Sequence, residues 1–172
     1  EIYSIDEAFL KLTGFERYDL QDYGNQMRRK VTKWTGIPIS VGIAPTKALA
    51  KVANRIAKKF PEQTNGVYII DSEEKRIKAL KWLPVEDVWG IGRQHTKRLN
   101  AIGVKTAYDF TQLDEVWVKR HLTIVGLRLK YDLQGIPTIE LEDVQPKKNI
   151  ATTRSFDKNY TEFSQLQERV ST

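Results

Sequence analysis

Strand-like runs in this chain give way at residue 72 to a long helical stretch, and that change of regime limits what it can fold into. Before Ser72, β-rich stretches alternate with helical patterns: residues 1–5, 8–12, 39–43 and 66–70 read as strands. Helical periodicity fills residues 20–34, closed by Gly36 and Pro38, and residues 46–60, where Thr46 is placed to cap the helix and Pro61 to stop it. From Ser72 to about residue 136 only short helical patterns occur, over 73–82, 94–100, 106–112, 115–122 and 125–133. The order predicts an α+β fold: a mixed sheet with helices on one face over 1–72, then a small all-α unit over 73–136. Gly135, Pro137 and Pro146, with Glu140, Glu142 and Asp143 between them, mark a linker over 137–149. Residues 150–172 read as a strand over 150–156 and helical turns from Glu162, too little for a core and so the start of a third domain. The first residues belong to the middle of a sheet, so the chain reads as a piece of something longer.

Composition narrows the chemistry. The chain has 172 residues and no cysteine, which excludes disulfides, thiolate catalysis and cysteine zinc sites and fits a cytoplasmic protein. His95 and His121 lie far apart without a companion ligand pattern, so a resident metal must be held by oxygen, as magnesium or manganese is. No apolar run is long enough to cross a bilayer, so no membrane partner is expected. The net charge of +6 makes nucleic acid a natural partner. Its excess is concentrated in two acid-free stretches: Lys47, Lys51, Arg55, Lys58 and Lys59, then Arg93, Lys97, Arg98 and Lys105.

Three constellations carry chemistry. The first is Asp6-Glu7, two carboxylates interrupting an apolar run. Successive side chains of a strand face opposite ways, so both acids can serve one cation only at a bend between two strands. A solvated turn fits the same residues, since acids are common in turns. The second is the helix over 46–60. At about 100° per residue, Lys47, Lys51, Asn54 and Lys58 share one face, opposite Leu49, Val52, Ala53, Ile56 and Phe60. A lysine row without acids suits a triphosphate or a nucleic-acid backbone, although an ordinary amphipathic helix has the same periodicity. The third is Gly90-Ile91-Gly92 between two short helices, followed by Arg93 and Lys97, with Leu99 and Ile102 at core spacing. That is the layout of a helix-hairpin-helix, which presents backbone amides to a DNA phosphate, often through a monovalent cation. A weaker echo, Leu122-Thr-Ile-Val-Gly-Leu-Arg-Leu129, is placed to be its partner. Trp34, Trp82, Trp89 and Trp117 are expected to pack, with Trp89 notable for its place beside the hairpin.

Four strings stand in one order: Tyr3-Ser-Ile-Asp-Glu-Ala-Phe9, Ser40-Val-Gly-Ile-Ala44, Thr46-Lys-Ala-Leu-Ala-Lys-Val-Ala-Asn54 and Val88-Trp-Gly-Ile-Gly92. Together they resemble the Y family of translesion DNA polymerases, nearest its bacterial UmuC-type branch, over essentially the whole chain. The resemblance implies that 1–72 is the C-terminal part of a polymerase palm, 73–136 a thumb, and 150–172 the start of a little finger. It implies an error-prone, DNA-directed polymerase of DNA repair and SOS mutagenesis, acting on primer-template DNA and deoxynucleoside triphosphates with two magnesium ions. Asp6 and Glu7 are then catalytic metal ligands. Lys58 and Lys51 meet the triphosphate. Lys47, the hairpin residues Gly90, Ile91, Gly92 and Arg93, and Lys97 and Arg154 meet DNA. A UmuD-like accessory protein, a recombinase filament and the sliding clamp are implied as partners. The family's first metal-binding aspartate and its fingers lie upstream of the matching residues, so this polypeptide alone is expected to lack useful polymerase activity. The alternative is a non-catalytic helix-hairpin-helix module that binds DNA. A recruitment scaffold ranks below both, because no exposed interaction peptide supports it.

Overall fold

The structure is a computed structural model that describes residues 1–141, 149–151, 153, 155–156 and 158–170. It divides into two units, Glu1–Glu142 and Asp143–Thr172. Arg154 and most of the expected linker lie outside the described residues.

In the first unit, helix α1 (Leu20–Thr35) starts at Asp19, whose carboxylate accepts from the amides of Gln21 and Asp22, and ends at Gly36 with φ 72°. Strand β1 (Val41–Ile43) leads into α2 (Lys47–Lys59), the short α3 (Pro61–Thr64) and strand β2 (Val67–Ile69). The two strands pair in parallel, Gly42 opposite Tyr68, with α2 as the crossover between them. Thr46 caps α2 by accepting from the amide of Leu49, as its place before the lysine helix predicts.

The sheet differs from expectation in two respects. Residues 1–12 form no named strands. Ile2 and Ala8 make one antiparallel bridge, and Ile5 is fully exposed. A strand needs a continuous ladder to at least one neighbour, and among the described residues these runs have only that bridge. The helices also lie on both faces. Gly42 turns its bare face to α2, whereas Ile43 and Val67 lie closest to Gly24 of α1.

Beyond Ser72, which caps α4 (Glu73–Trp82), come a 3₁₀ turn (Val85–Asp87), α5 (Arg93–Ala101), α6 (Ala107–Thr111) and α7 (Glu115–Leu133). Thr106 and Asp109 form a reciprocal capping box at the start of α6. The two helices expected over 115–133 are one element broken at Thr123, a β-branched residue held at φ 66°. Ile102, expected in the core, is half-exposed, and Val104 beyond the Gly103 turn takes its place. Trp34 is the exception among the tryptophans, 77% exposed near the end of α1. Trp82 packs on Phe60 and Trp117 on His121.

A single apolar cluster runs from Leu49 and Val52 of α2 through Leu80 and Leu83 to Leu99, Phe110, Val118 and Leu133. The strand-bearing layer and the all-α layer therefore share one core across residue 72.

Asp132 at the end of α7 ties that junction. It is fully buried. Its Oδ1 accepts from the amides of Thr138 (2.7 Å) and Ile139 (3.1 Å) and from the Thr138 hydroxyl. Its Oδ2 accepts from the amide of Ala48 in the first turn of α2, and its carbonyl accepts from Thr46 Oγ1 at 2.7 Å. Asp132→Ala removes the carboxylate acceptor from the amides of Ala48, Thr138 and Ile139 while leaving the bond from Thr46 to the backbone carbonyl, so it is expected to cost about 3 kcal/mol in urea denaturation. Asp132→Asn, which keeps an acceptor oxygen, is expected to cost less. Equal stability of the alanine variant and the wild type would show that the network contributes nothing.

In the second unit the strand expected over 150–156 is not present among the described residues. Helix α8 (Phe163–Val170) stands where helical turns were expected from Glu162, and Phe156 meets Tyr160 edge to face.

Candidate active site

The acids sit on a tight turn. The amides of Tyr3 and Ser4 both donate to the carbonyl of Glu7, at 3.0 and 3.1 Å, which folds the chain back on itself and exposes Asp6 at the tip. Ser4 Oγ donates to Asp6 Oδ1 at 2.6 Å. That bond, with the Asp6 amide and the charges of Lys58 and Lys51, holds the Asp6 carboxyl below the usual carboxylate range. Asp6 therefore stays ionised into mildly acidic solution. Glu7 Oε1 lies 2.5 Å from Lys51 Nζ. The turn resolves the strand-alternation problem, because both neighbouring acids come under the charges of the same helix face.

The lysine row of α2 is not uniform. Lys47 is only 9% exposed, 2.8 Å from Glu1, and also donates to the carbonyl of Glu140. It acts as an internal counter-ion. Lys51 is half-buried against Glu7 and Tyr3, and Lys58 is exposed. Between them, Asn54 Oδ1 is buried with no hydrogen-bond partner among the described residues. Arg55, one residue on, pairs with Asp87 of the 3₁₀ turn at 2.5 Å. Lys51, Asn54, Arg55, Lys58, Asp87 and Trp89 line a cavity of about 240 Å³, floored by Val52, Leu83, Val88 and Leu133. Glu7 also lines it.

The hairpin follows directly. Gly90 takes φ +85°, a conformation that favours glycine, and Ile91 is buried beneath the turn with its amide donating to the carbonyl of Val88. Ile91 is thus a packing residue whose amide is already used. Gly92 is different. Its φ of −85° suits any residue, and a Cβ there would meet nothing within 4 Å. No internal contact accounts for its being glycine, so a side chain is absent where something outside could approach. Gly92 caps α5, and Arg93 and Lys97 are exposed on the helix it starts. With Glu86, Ile91 and Thr96 they line a shallow groove of about 430 Å³.

The sequence-predicted residues thus form two groups: Glu7, Lys51 and Lys58 line the first cavity with Asp6 next to Glu7 on the exposed turn, and Ile91, Gly92, Arg93 and Lys97 line the groove with Gly90 making the turn before them. Sequence reasoning placed Asn54 on the lysine face but missed Tyr3, Phe9 and Asp87 as site residues. Only a contact map across distant segments could have found them.

Residues 1–55 match the model of the impB/mucB/samB family. Across nearly its full length the chain is 43% identical to Protein UmuC of Salmonella typhimurium. This chain is similar to UmuC over nearly its whole length. The match covers 99% of the chain and 41% of that relative, so the chain spans about two fifths of its length. It is also similar to DNA polymerase IV of Oceanobacillus iheyensis, 29% identical over 171 residues, which cover 97% of the chain and 39% of that protein. Among solved structures it matches DinB from Sulfolobus solfataricus with a TM-score of 0.60 and 24% identity, over 77% of this chain and 38% of that one. At that identity the likeness speaks for the fold. Among the described residues, no helix is long and apolar enough to cross a membrane.

Proposed function

We propose that this segment carries part of the nucleotidyl-transfer centre, and the duplex grip, of an error-prone translesion DNA polymerase. The observation that carries the reading is the acid turn held against the lysine face of α2, with Glu7 2.5 Å from Lys51 and Lys58 acting on Asp6. In this reading 1–72 is part of the palm, 73–136 the thumb, 137–149 a linker and 150–172 the start of the little finger.

The hard carboxylate oxygens of Asp6 and Glu7 suit magnesium. No cluster of three or more acidic or histidine ligands occurs among the described residues, so the two acids supply part of a coordination sphere. When bound, two such ions activate the attacking primer hydroxyl and stabilise charge on the transferred phosphoryl group. Lys58 and Lys51 bind the triphosphate, Lys51 exchanging Glu7 for a phosphate oxygen. The open Gly92, with Arg93 and Lys97, holds the duplex backbone without reading bases, with a monovalent cation bridging at the hairpin. The Y-family resemblance is the support for a role in DNA repair and SOS mutagenesis, for a cytoplasmic setting, and for a UmuD-like protein, a recombinase filament and the sliding clamp as partners. The isolated chain is expected to lack primer extension.

Fluorescence anisotropy with a short labelled duplex tests the grip. Arg93→Ala and Lys97→Ala are each expected to weaken binding about three- to tenfold and to lower the slope of log affinity against log salt by about one. Unchanged affinity in both would sink the hairpin assignment. Manganese binding followed by electron paramagnetic resonance tests the acids. If duplex binds but manganese binding is indifferent to Asp6→Ala, the chain is a non-catalytic DNA-binding module.

A further inference from the structure

We propose that Trp89 is a positioning residue that locks the acid turn to the hairpin, so that a duplex seated on the hairpin is felt at Asp6 and Glu7. This rests on the reading above, in which the turn takes divalent cations and the hairpin takes the DNA backbone.

The two legs of the turn each carry an aromatic ring, Tyr3 before the acids and Phe9 after them. Trp89 meets both, with ring centroids 5.6 Å from Tyr3 and 6.0 Å from Phe9. Its Nε1–H donates to the Tyr3 hydroxyl at 2.8 Å. Tyr3 and Phe9 also meet each other edge to face at 5.6 Å, closing a three-ring cluster at the base of the turn. Lys47 Nζ stands 4.8 Å from the Phe9 ring centre and 5.9 Å from that of Trp89. Lys51, the partner of Glu7, stands 5.3 Å from the centre of Tyr3.

The backbone of Trp89 is fixed from the other side. Asp87, two residues earlier, is paired with Arg55 of α2. Val88 is buried and its carbonyl accepts from Ile91, and Gly90 makes the left-handed turn immediately after. Packing alone would be served by phenylalanine at both 3 and 89. The indole N–H meeting the phenol oxygen adds direction, which fixes the angle between the rings and hence the tilt of the turn. Displacement of Gly90 by a bound backbone has a short, stiff path to the acids: one residue, one indole, one hydrogen bond.

The experiment uses Tyr3→Phe and Trp89→Phe in this chain, each keeping a ring and removing the bond. Without ligand, both variants are expected to speed hydrogen exchange about fivefold at the amides of Tyr3, Ser4 and Phe9, leaving α7 amides unchanged. With a 12-base-pair duplex present, manganese affinity is expected to rise about fivefold in the wild type and to stay nearly flat in both variants. The double variant should be no worse than either single one, since all three lack the same bond. Turn exchange as slow as in the wild type overturns the lock, and a duplex effect on manganese that survives in the variants overturns the coupling. Asp6→Ala separates the two readings. If it leaves manganese binding intact, the metal assignment fails while the exchange measurement still judges the lock.

Discussion

Gly42→Ala is expected to unfold the chain or to cost it more than about 3 kcal/mol, the largest stability loss of any single methyl addition to the first unit. A Cβ at residue 42 would lie 2.1 Å from the amide nitrogen of Asn54, 2.3 Å from the carbonyl oxygen of Ala50 and 2.7 Å from the Asn54 Cα. All three are backbone atoms of a regular helix, so no side-chain rotation relieves the clash. Either α2 moves away from β1 or the strand distorts. Moving α2 lifts Leu49, Val52, Ala53 and Ile56 out of the core they share with Leu80 and Leu133. It also carries Lys51 and Lys58 away from the acid turn, so any folded remainder loses its site. Circular dichroism with urea measures the effect. The informative control is Gly92→Ala, which meets no atom within 4 Å at an ordinary φ and is expected to melt like the wild type. If Gly42→Ala melts like the wild type as well, β1 does not approach α2 as closely as described.

In an intact protein carrying this segment, Asp6→Ala is expected to reduce primer extension at least about a thousandfold, with duplex affinity and melting temperature nearly unchanged. A metal-bound charge stabilises the transition state by several kcal/mol, and each 1.4 kcal/mol is about tenfold in rate. Asp6 is exposed, and its main bond is to the neighbouring Ser4, so removing its carboxylate takes little from the fold. Glu7→Gln differs in kind, because it also frees Lys51 from its ion pair. Single-turnover extension measures the chemical step directly. Retention of wild-type rates by Asp6→Ala would remove the acid turn from the catalytic centre and leave the hairpin as the functional element.

The helices were legible because their signals are local. Thr46 before an alanine- and lysine-rich run and Gly36 after the helical pattern over 20–34 act within a few residues of themselves, and α2 runs within a residue of the expected bounds. The opposed faces of α2 also followed from periodicity, yet what those faces meet did not. Lys47 and Lys51 look alike in sequence, but Lys47 is enclosed by Glu1, Glu140 and two aromatic rings while Lys51 reaches the acid turn. Strands were overread in the first twelve residues, because apolar alternation marks pairing capacity while pairing itself needs a neighbour from elsewhere. Asp132 was invisible for the opposite reason. An aspartate near the end of a helix looks solvated until the chain folds three segments around it.

Residue order by itself determined the ends of α1 and α2, the Gly90 turn, the placing of two adjacent carboxylates between apolar runs, and the family resemblance. Those properties depend on backbone sterics and short-range hydrogen bonds, which act over a few residues. Only the tertiary structure decided that the acids lie under the lysines of α2, that Lys47 is an internal counter-ion, and that Trp89 joins the hairpin to the turn. Those facts depend on side chains as far as 86 positions apart, as Tyr3 and Trp89 are, meeting at hydrogen-bond distance. No local pattern encodes such a meeting, because its free energy exists only once the shared core has brought the segments together.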